Sequence, residues 1–420
     1  MSKGYTVTGK LQLDLTPVKN LTLSAVVAPQ YYFGNTKDHV KKFQIKESEG
    51  VYKDASGYSS TNLSESRNNN NSMTTQFYAN YKNDWGKHSL SAMAGYEGYT
   101  YYWENLSASR KNYLLDNFPY LDLGPKDQQF NSGSAGHNSY NSAFGRLIYS
   151  YAGRYLLQAN VRRDWSSRFA KGYRGATCPS ASFGWVVSEE PWFNSKFFNL
   201  VKARASVGQL GNERIGSEVP YMALLSIGTS YIATTNGTVD LAQRASQSDY
   251  AFEDISWETT TSYDLGVDLG MLNNRLRFSG DIYYKKTTDM LLTIGFPAYF
   301  GYNAPQSNAA DMNTKGWEFE VSWSDHKGDF SYGASFNLSD YRSKMGYMAE
   351  KQSISGNTIT EEGSFYQEYY LYKSNGIILN EAGMYDSQGK KIPVMSGSDK
   401  PGCLSYQDIN EDGVISASGD

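Results

Sequence analysis

The stretch that decides the fold covers residues 263–284 and reads YDLGVDLGMLNNRLRFSGDIYY. Apolar or small residues occupy every second position on both sides of a break at 272–275, and they are Tyr263, Leu265, Val267, Leu269, Leu276, Phe278, Gly280, Ile282 and Tyr284. A period of two is the pattern of a β-strand with one apolar and one polar face. Asn273 and Asn274 in the break suit a tight turn. The stretch therefore predicts an antiparallel hairpin.

The same design recurs elsewhere in the chain. The segments that alternate in this way and face each other across a short turn are 11–15 with 21–27, 143–151 with 155–161, and 317–323 with 330–338. We expect roughly twelve strands of about 10 to 14 residues, a length that lets a tilted strand cross a bilayer. Twelve strands could close a small barrel or form about half of a larger one.

Long polar connections rich in Asn and Ser separate the hairpins, and one of them contains the Asn run at 68–71. We expect these connections at 34–72, 103–140, 210–256, 286–312 and 343–370. Tight turns thus alternate with long loops. A transmembrane barrel has short turns on the periplasmic side and long loops outside, whereas a soluble sandwich has no reason to gather its long loops at one end. The sequence predicts an all-β, antiparallel transmembrane β-barrel.

Composition agrees with this fold and excludes several functions. Aromatic residues make up 15% of the 420 residues and charged residues only 20%, while Gly, Asn and Ser supply turns. No apolar run approaches the roughly 18 residues of a transmembrane helix. The net charge of -4 offers no basic stripe for nucleic acid. Cys178 and Cys403 lie too far apart in sequence to indicate a disulfide scaffold or a zinc site, and whether they pair stays open.

No catalytic site can be recognised in the sequence. The four histidines, His39, His88, His137 and His326, lie on different segments without a partner at metal-ligand spacing. The pairs Glu189–Glu190 and Glu361–Glu362 are adjacent, so on a strand their side chains point to opposite faces. We expect these carboxylates to be solvated or to face a lumen. The chain is therefore not expected to be an enzyme or to require a cofactor.

One string has the ligand spacing of a calcium loop. Within DINEDGVIS at 408–416, Asp408, Asn410 and Asp412 provide oxygen atoms at loop positions 1, 3 and 5, and Val414 provides a backbone carbonyl at position 7. The acidic residue usual at position 12 is missing, because Gly419 stands there. The alternative is an Asx-rich turn that caps the following strand. We carry Asp408, Asn410, Asp412 and Val414 forward as a candidate Ca²⁺ site.

Several further stretches carry a family resemblance. They are PSASFGWVVSEEPWF at 179–193, LVKARASVGQLGN at 200–212, WETT at 257–260, YDLG at 263–266, DIYY at 281–284, TTDMLL at 287–292 and NTKGWE at 313–318. In this order and at these separations they resemble the SusC/RagA family of TonB-dependent outer-membrane receptors and importers. The resemblance implies that residues 1–420 form one partial barrel domain, with roughly twelve of about 22 strands. It also implies that the signal peptide, N-terminal domain, plug and final strands are absent from these residues.

The resemblance implies a function in nutrient uptake at the outer membrane. A complete protein of this family contacts outer-membrane lipid, binds an oligosaccharide or peptide together with a SusD-like surface lipoprotein, and imports it with energy from the TonB complex. Two alternatives stay open: a plugless porin or adhesin-like barrel, and a soluble carbohydrate-binding β-protein. A region that encodes a plug would exclude the first alternative. Solubility without detergent would support the second.

Overall fold

A computed structural model describes residues 1–115, 117–214, 219–233, 239–247, 250–293, 298–303, 306–349, 352–385, 392, 400–411 and 414–415. The chain forms two compact units, Met1–Arg342 and Ser343–Asp420, and the single domain predicted over 1–420 stays a prediction. In the described part of the chain, no helix is long and apolar enough to cross a membrane.

Strands make up most of the described residues. In chain order the strands of the described residues are β1 (Ser2–Thr8), β2 (Leu11–Val18), β3 (Leu21–Val40), β4 (Gln44–Ser48), β5 (Val51–Asp54), β6 (Asn62–Trp85), β7 (His88–Lys111), β8 (Gln129–Tyr151), β9 (Tyr155–Ser166), β10 (Gly175–Val186), β11 (Phe198–Asn212), β12 (Leu225–Ala233), β13 (Val239–Gln247), β14 (Glu258–Met271), β15 (Leu276–Thr293), β16 (Gln306–Lys327), β17 (Phe330–Met348), β18 (Gln352–Ser355), β19 (Thr358–Glu361), β20 (Glu368–Tyr369), β21 (Ser374–Ile377) and β22 (Leu404–Tyr406).

Short 3₁₀ turns provide the helical content of the described residues. They lie at Leu121–Leu123, Lys126–Gln128, Val187–Glu189, Ala298–Phe300 and Glu381–Met384. In the second unit, β18, β19 and β20 form one small sheet and β21 pairs with β22.

The main sheet is an antiparallel meander in the order β1-β3-β6-β7-β8-β9-β10-β11-β14-β15-β16-β17. β2 pairs with the same strand as β1, since β1 lies against Gln30–Thr36 of β3 and β2 lies against its first half. The sheet therefore has about twelve strand positions. The all-β, antiparallel barrel architecture predicted from the alternation is confirmed, and within this chain the barrel is not closed.

The predicted strand lengths and loop limits are wrong for the longest strands, whereas β9 and β10 with 12 residues each and β14 with 14 have the predicted length. β6 and β7 each contain 24 residues, and they pair from Trp85 and His88 at the turn to Asn62 and Lys111 at the far end. The Asn run at 68–71 lies within β6 and not in a loop. In this outer part most side chains on both faces are polar, so the hydropathy alternation weakens although the backbone hydrogen bonds continue. A hydropathy pattern shows which face of a strand is apolar but not how far the strand pairs with its neighbours, and this explains the error.

The two ends of the sheet differ as the sequence predicted. At one end, most turns are only a few residues long and use left-handed backbone, for example at Gly86 (φ 57°) and at Asn273 (φ 60°) and Asn274 (φ 61°). At the other end, several connections contain structure of their own, such as the hairpins β4–β5 and β12–β13. We call these the short-turn end and the long-connection end.

The strand register places apolar side chains on one face of the sheet. Phe183, Ala205, Leu265, Ile282 and Trp317 form a single row across five consecutive strand positions. Leu265 is 57% and Ile282 60% exposed, as expected for side chains that meet lipid instead of a protein core. We call this side the outer face and the opposite, polar side the inner face.

The outer apolar band is shorter than the strands that carry it. On β6 it runs from Tyr81 to Met73 and ends at Asn71, whose side chain lies on the same face. About nine residues at roughly 3.3 Å each extend about 30 Å along the strand, close to the length that a tilted strand needs to cross the hydrocarbon core. The remainder of β6, up to Asn62, extends beyond the band toward the long-connection end.

Candidate functional site: the inner face of the sheet

The inner face carries a charged cluster that spans three strands. Arg204 of β11 donates from Nε to Asp268 Oδ2 (3.0 Å) on the neighbouring strand β14, and its Nη1 lies 2.9 Å from Asp281 Oδ1 on β15. Ser279 donates to Asp268 Oδ1 at 2.9 Å. The cluster is partly shielded, because the side chain of Asp281 is 13% exposed and that of Arg204 is 30% exposed.

Gly266 makes the contact between Arg204 and Asp281 possible. It lies on β14 between the partners, paired with Arg204 on one side and Asp281 on the other. A Cβ at this position would come within 2.8 Å of Arg204 Cζ and would collide with the Asp281 carboxylate. The YDLG, ARAS and DIYY stretches therefore meet in space and form one unit.

A second charged cluster lies on β7, β8 and β9. Arg162 contacts Asp164 Oδ1 through Nε (2.7 Å) and Glu97 Oε1 through Nη2 (2.8 Å). Ser142, which is fully buried, accepts from Arg162 at 2.7 Å and donates to Asp164. Gln76 donates to Glu97 at 2.5 Å. Each charge has an opposite partner, so the cluster is a fixed polar surface rather than a reactive site.

Aromatic and amide side chains share the inner face nearer the long-connection end. Tyr99 of β7 stacks on Tyr140 of β8 with ring centroids 4.9 Å apart. The alternation of β7 places Tyr101 and Trp103 on the same face as Tyr99. The register brings amides to this surface too: Asn70 pairs with Trp103, and Asn105 donates to Asn68. We call Tyr99, Tyr101, Trp103, Tyr140, Asn68, Asn70 and Asn105 the aromatic–amide zone.

Glu190 was expected to be solvated or lumenal, and this prediction is wrong. Glu190 is only 7% exposed. Its carboxylate accepts from Arg154 Nη1 (2.8 Å), Tyr155 Oη (2.5 Å) and Trp185 Nε1 (3.0 Å). The tyrosine and tryptophan hydrogen bonds hold the pKa of Glu190 below its ordinary value of 4.5. Glu190 thus ties the β8–β9 turn to the β10–β11 connection.

The other three glutamates of the two adjacent pairs, Glu189, Glu361 and Glu362, are exposed as the sequence suggested. The four histidines lie on four different strands, β3, β7, β8 and β16. Cys178 and Cys403 are free thiols.

The candidate calcium residues lie in the second unit, after β22. Asp408, Asn410 and Val414 belong to the described residues, whereas Asp412 lies outside them. Within the described part of the chain, no group of three His, Cys, Asp or Glu side chains is arranged to hold a metal. This finding does not test the predicted site, because its remaining ligands are an amide and a backbone carbonyl. Calcium binding here stays a prediction.

Sequence reasoning missed both the aromatic–amide zone and the charged clusters. It placed 34–72 and 103–140 in loops, and these ranges contain Asn68, Asn70, Trp103 and Asn105. The signal that could have revealed the zone is the spacing of Tyr99, Tyr101 and Trp103, which alternate just as the apolar residues do. The clusters could not have been found in this way, because they join residues up to 77 positions apart.

Comparison with known proteins agrees with this architecture. The family model described as "TonB dependent receptor-like, beta-barrel" matches residues 2–371. The chain is 29% identical over 378 residues to TonB-dependent receptor P3 of Formosa agariphila, which covers 84% of the chain and 35% of the relative. It is 30% identical over 279 residues to TonB-dependent receptor SusC of Bacteroides thetaiotaomicron, covering 62% of the chain and 27% of the relative.

A solved structure has the same fold. The RagAB peptide transporter superposes with a TM-score of 0.78 at 23% identity, covering 90% of the chain and 41% of the transporter chain. The chain thus spans less than half the length of these relatives. Their names describe receptors and a transporter and not enzymes. The resemblance to SusC/RagA proteins is confirmed, and the chain belongs to the TonB-dependent receptor-like β-barrel family.

Proposed function

We propose that this chain is the barrel portion of a TonB-dependent outer-membrane importer whose substrate is a neutral oligosaccharide. The complete protein would capture the substrate with a SusD-like surface lipoprotein and admit it with energy from the TonB complex. Family membership supports import as the function and favours it over a plugless porin and over a soluble carbohydrate-binding protein.

The aromatic–amide zone is the observation that favours a sugar. Aromatic rings offer flat apolar surfaces, and Asn side chains offer both a donor and an acceptor for hydroxyl groups. The zone lies toward the long-connection end of the inner face, where a substrate would enter from outside. Asn68, Asn70 and Asn105 add no net charge. A charged peptide would have to bind the two charged clusters, and in each of them one arginine already contacts two carboxylates.

A binding measurement with the intact receptor tests this proposal. We would titrate the detergent-purified protein with neutral glucan, mannan and fructan oligosaccharides and, separately, with a mixed peptide library, using isothermal calorimetry. At least one oligosaccharide class should bind, and Trp103→Ala should weaken that binding by roughly two- to tenfold, because a stacked aromatic contributes about 0.5–1.5 kcal/mol.

The matched control is Trp317→Ala, which removes a tryptophan from the outer face. Its oligosaccharide affinity should equal that of the unchanged protein. Binding of peptides but of no oligosaccharide would refute the proposed substrate class while leaving the import function intact. Equal loss in both tryptophan variants would show that Trp103 does not contact the sugar.

A further inference from the structure

Besides its apolar band, the outer face contains a groove. It has a volume of about 660 Å³ and lies on β9, β10, β11, β14, β15 and β16. Small side chains form its floor, chiefly Ala181 and Ala205, while Phe183, Leu265 and Ile282 form its walls. Because Ala205 sits in the row between Phe183 and Leu265, the surface is lowered between two large neighbours. A flexible apolar chain would fill this space.

The upper rim of the groove lies at the edge of the apolar band. Tyr263 and Tyr284 stack there with centroids 6.4 Å apart, and Tyr284 Oη donates to Asn313 at 2.6 Å. Above this pair, toward the long-connection end, the outer face becomes polar with Thr261 and Asn313. Tyrosines with a polar tip mark the level where hydrocarbon meets headgroups.

Two lysines stand at this rim. Lys315 lies beside Tyr284 on β16 and lines the groove, and Lys286 lies one step higher on β15, between Thr261 and Asn313. Both side chains belong to exposed residues. Within the described part of the chain, neither lysine forms an ion pair. Two cations above an apolar groove are complementary to a lipid with an anionic headgroup.

We propose that this groove binds the phosphorylated glycolipid of the outer leaflet, lipid A, with an acyl chain over Ala205, between Phe183 and Leu265, and a phosphate on Lys315 and Lys286. The outer leaflet follows from the position of the lysines at the long-connection end, which faces outside in barrels of this kind. The inference concerns the outer face and does not depend on the identity of the imported substrate.

Native mass spectrometry of the intact detergent-purified receptor tests the proposal. Lipid A and enzymatically dephosphorylated lipid A are titrated against the unchanged protein and the double variant Lys286→Gln, Lys315→Gln. Lipid A affinity should fall about fivefold for each lysine removed, since one lysine near an anionic lipid surface contributes about 1 kcal/mol. Dephosphorylated lipid should bind the unchanged protein and the double variant equally.

Lys327→Gln is the matched control, because it removes a lysine from the same strand at the opposite edge of the band. It should leave lipid A binding unchanged. Equal losses for Lys327→Gln and the double variant would overturn the site, as would equal affinity for lipid A with and without phosphate. Equal affinity for phosphatidylglycerol would overturn the assignment to lipid A.

The contribution of the groove is tested separately. Ala205→Leu should weaken both forms of the lipid, and the sugar phosphate headgroup without acyl chains should not bind detectably. The headgroup measurement shows whether an acyl chain is needed for binding, even if Ala205→Leu hinders assembly. Full binding by the bare headgroup would show that the groove takes no acyl chain.

Discussion

At the scale of single residues, the absence of a side chain can be as important as its presence. Gly266 leaves open the space through which Arg204 reaches Asp281, two strands away. Glu190 shows the opposite case, because one carboxylate accepts from three donors, Arg154 in the β8–β9 turn, Tyr155 on β9 and Trp185 on β10. In both cases the polar groups are placed by strands that are remote in sequence.

Replacing Gly266 by alanine should therefore destabilise the barrel. The new Cβ must displace Arg204 or Asp281, and overpacking of this kind costs about 1–3 kcal/mol. Urea unfolding of the intact receptor in detergent, followed by tryptophan fluorescence, measures the loss. Gly145→Ala is the control, since its nearest neighbour would be Met93 O at 3.7 Å. Equal stability of both variants would contradict the role assigned to Gly266.

The second residue-scale prediction concerns acid stability. Because the folded pKa of Glu190 is lowered, its ionised form stabilises the fold fully above the ordinary value of 4.5, and this contribution is lost as pH falls through the folded pKa. Glu190→Gln should lower stability at pH 7 and flatten the decline below pH 4.5. Thermal unfolding at a series of pH values checks this, with Glu189→Gln, an exposed neighbour, as the control. An unchanged pH profile for Glu190→Gln would refute the prediction.

At the scale of elements, the longest strands, such as β6 and β7, combine a membrane-crossing segment with an extension. The crossing segment is marked by apolar residues on the outer face, as in β14 and β15. The extension is mostly polar on both faces, as in the outer part of β6 and β7, and is held by the continuing ladder. The aromatic–amide zone lies on the inner face where the crossing segment continues into this extension, since Tyr99 pairs with Thr74 and Trp103 pairs with Asn70.

An arginine at Leu265 should impair membrane assembly, because Leu265 lies inside the outer apolar band, one outer-face position below the Tyr263–Tyr284 level. A cation at mid-bilayer costs about 2–4 kcal/mol, whereas one near the interface costs about 0–1 kcal/mol. Thr261→Arg, on the same face of β14 but at the edge of the band, should assemble. Heat-modifiable migration of the membrane fraction on gels reports assembly. Normal assembly of Leu265→Arg would mean that the two faces are inverted.

The segment after β22 carries the calcium prediction. The intact receptor, stripped with EGTA, should bind Ca²⁺ in calorimetry, and Asp408→Ala should weaken binding at least tenfold, because a carboxylate ligand at loop position 1 is lost. Glu411→Gln alters position 4, which supplies no ligand, and should have no effect. If Asp408→Ala binds Ca²⁺ as well as the unchanged protein, the segment is an Asx-rich turn only.

At the scale of the whole molecule, the main sheet has two unpaired edges among the described residues. β1 and β2 lie at one edge and β17 at the other. Open edges are not tolerated in hydrocarbon, because their N–H and C=O groups lack partners. The relatives are more than twice as long, and the total of about 22 strands stays a prediction.

A polypeptide of residues 1–420 alone should consequently fail to form a monomeric barrel in lipid vesicles. We expect oligomers or aggregates after refolding, detected by light scattering and by the absence of a heat-modifiable monomer band. The intact receptor, refolded in the same vesicles, is the control. A compact, heat-modifiable monomer of residues 1–420 would show that these strands can close on themselves.

The sequence by itself determined the all-β class, the hairpins, the outer face and the family resemblance. These features follow from local alternation, because successive side chains of a strand point to opposite faces. The faces of Leu265 and Ile282 can therefore be assigned without knowing which strands lie beside them. The tertiary structure alone decided the length of β6 and β7, the Arg204–Asp281 contact across Gly266, the burial of Glu190 and the assembly of the aromatic–amide zone. These features depend on strand register, which is set by hydrogen bonds between residues far apart in the chain.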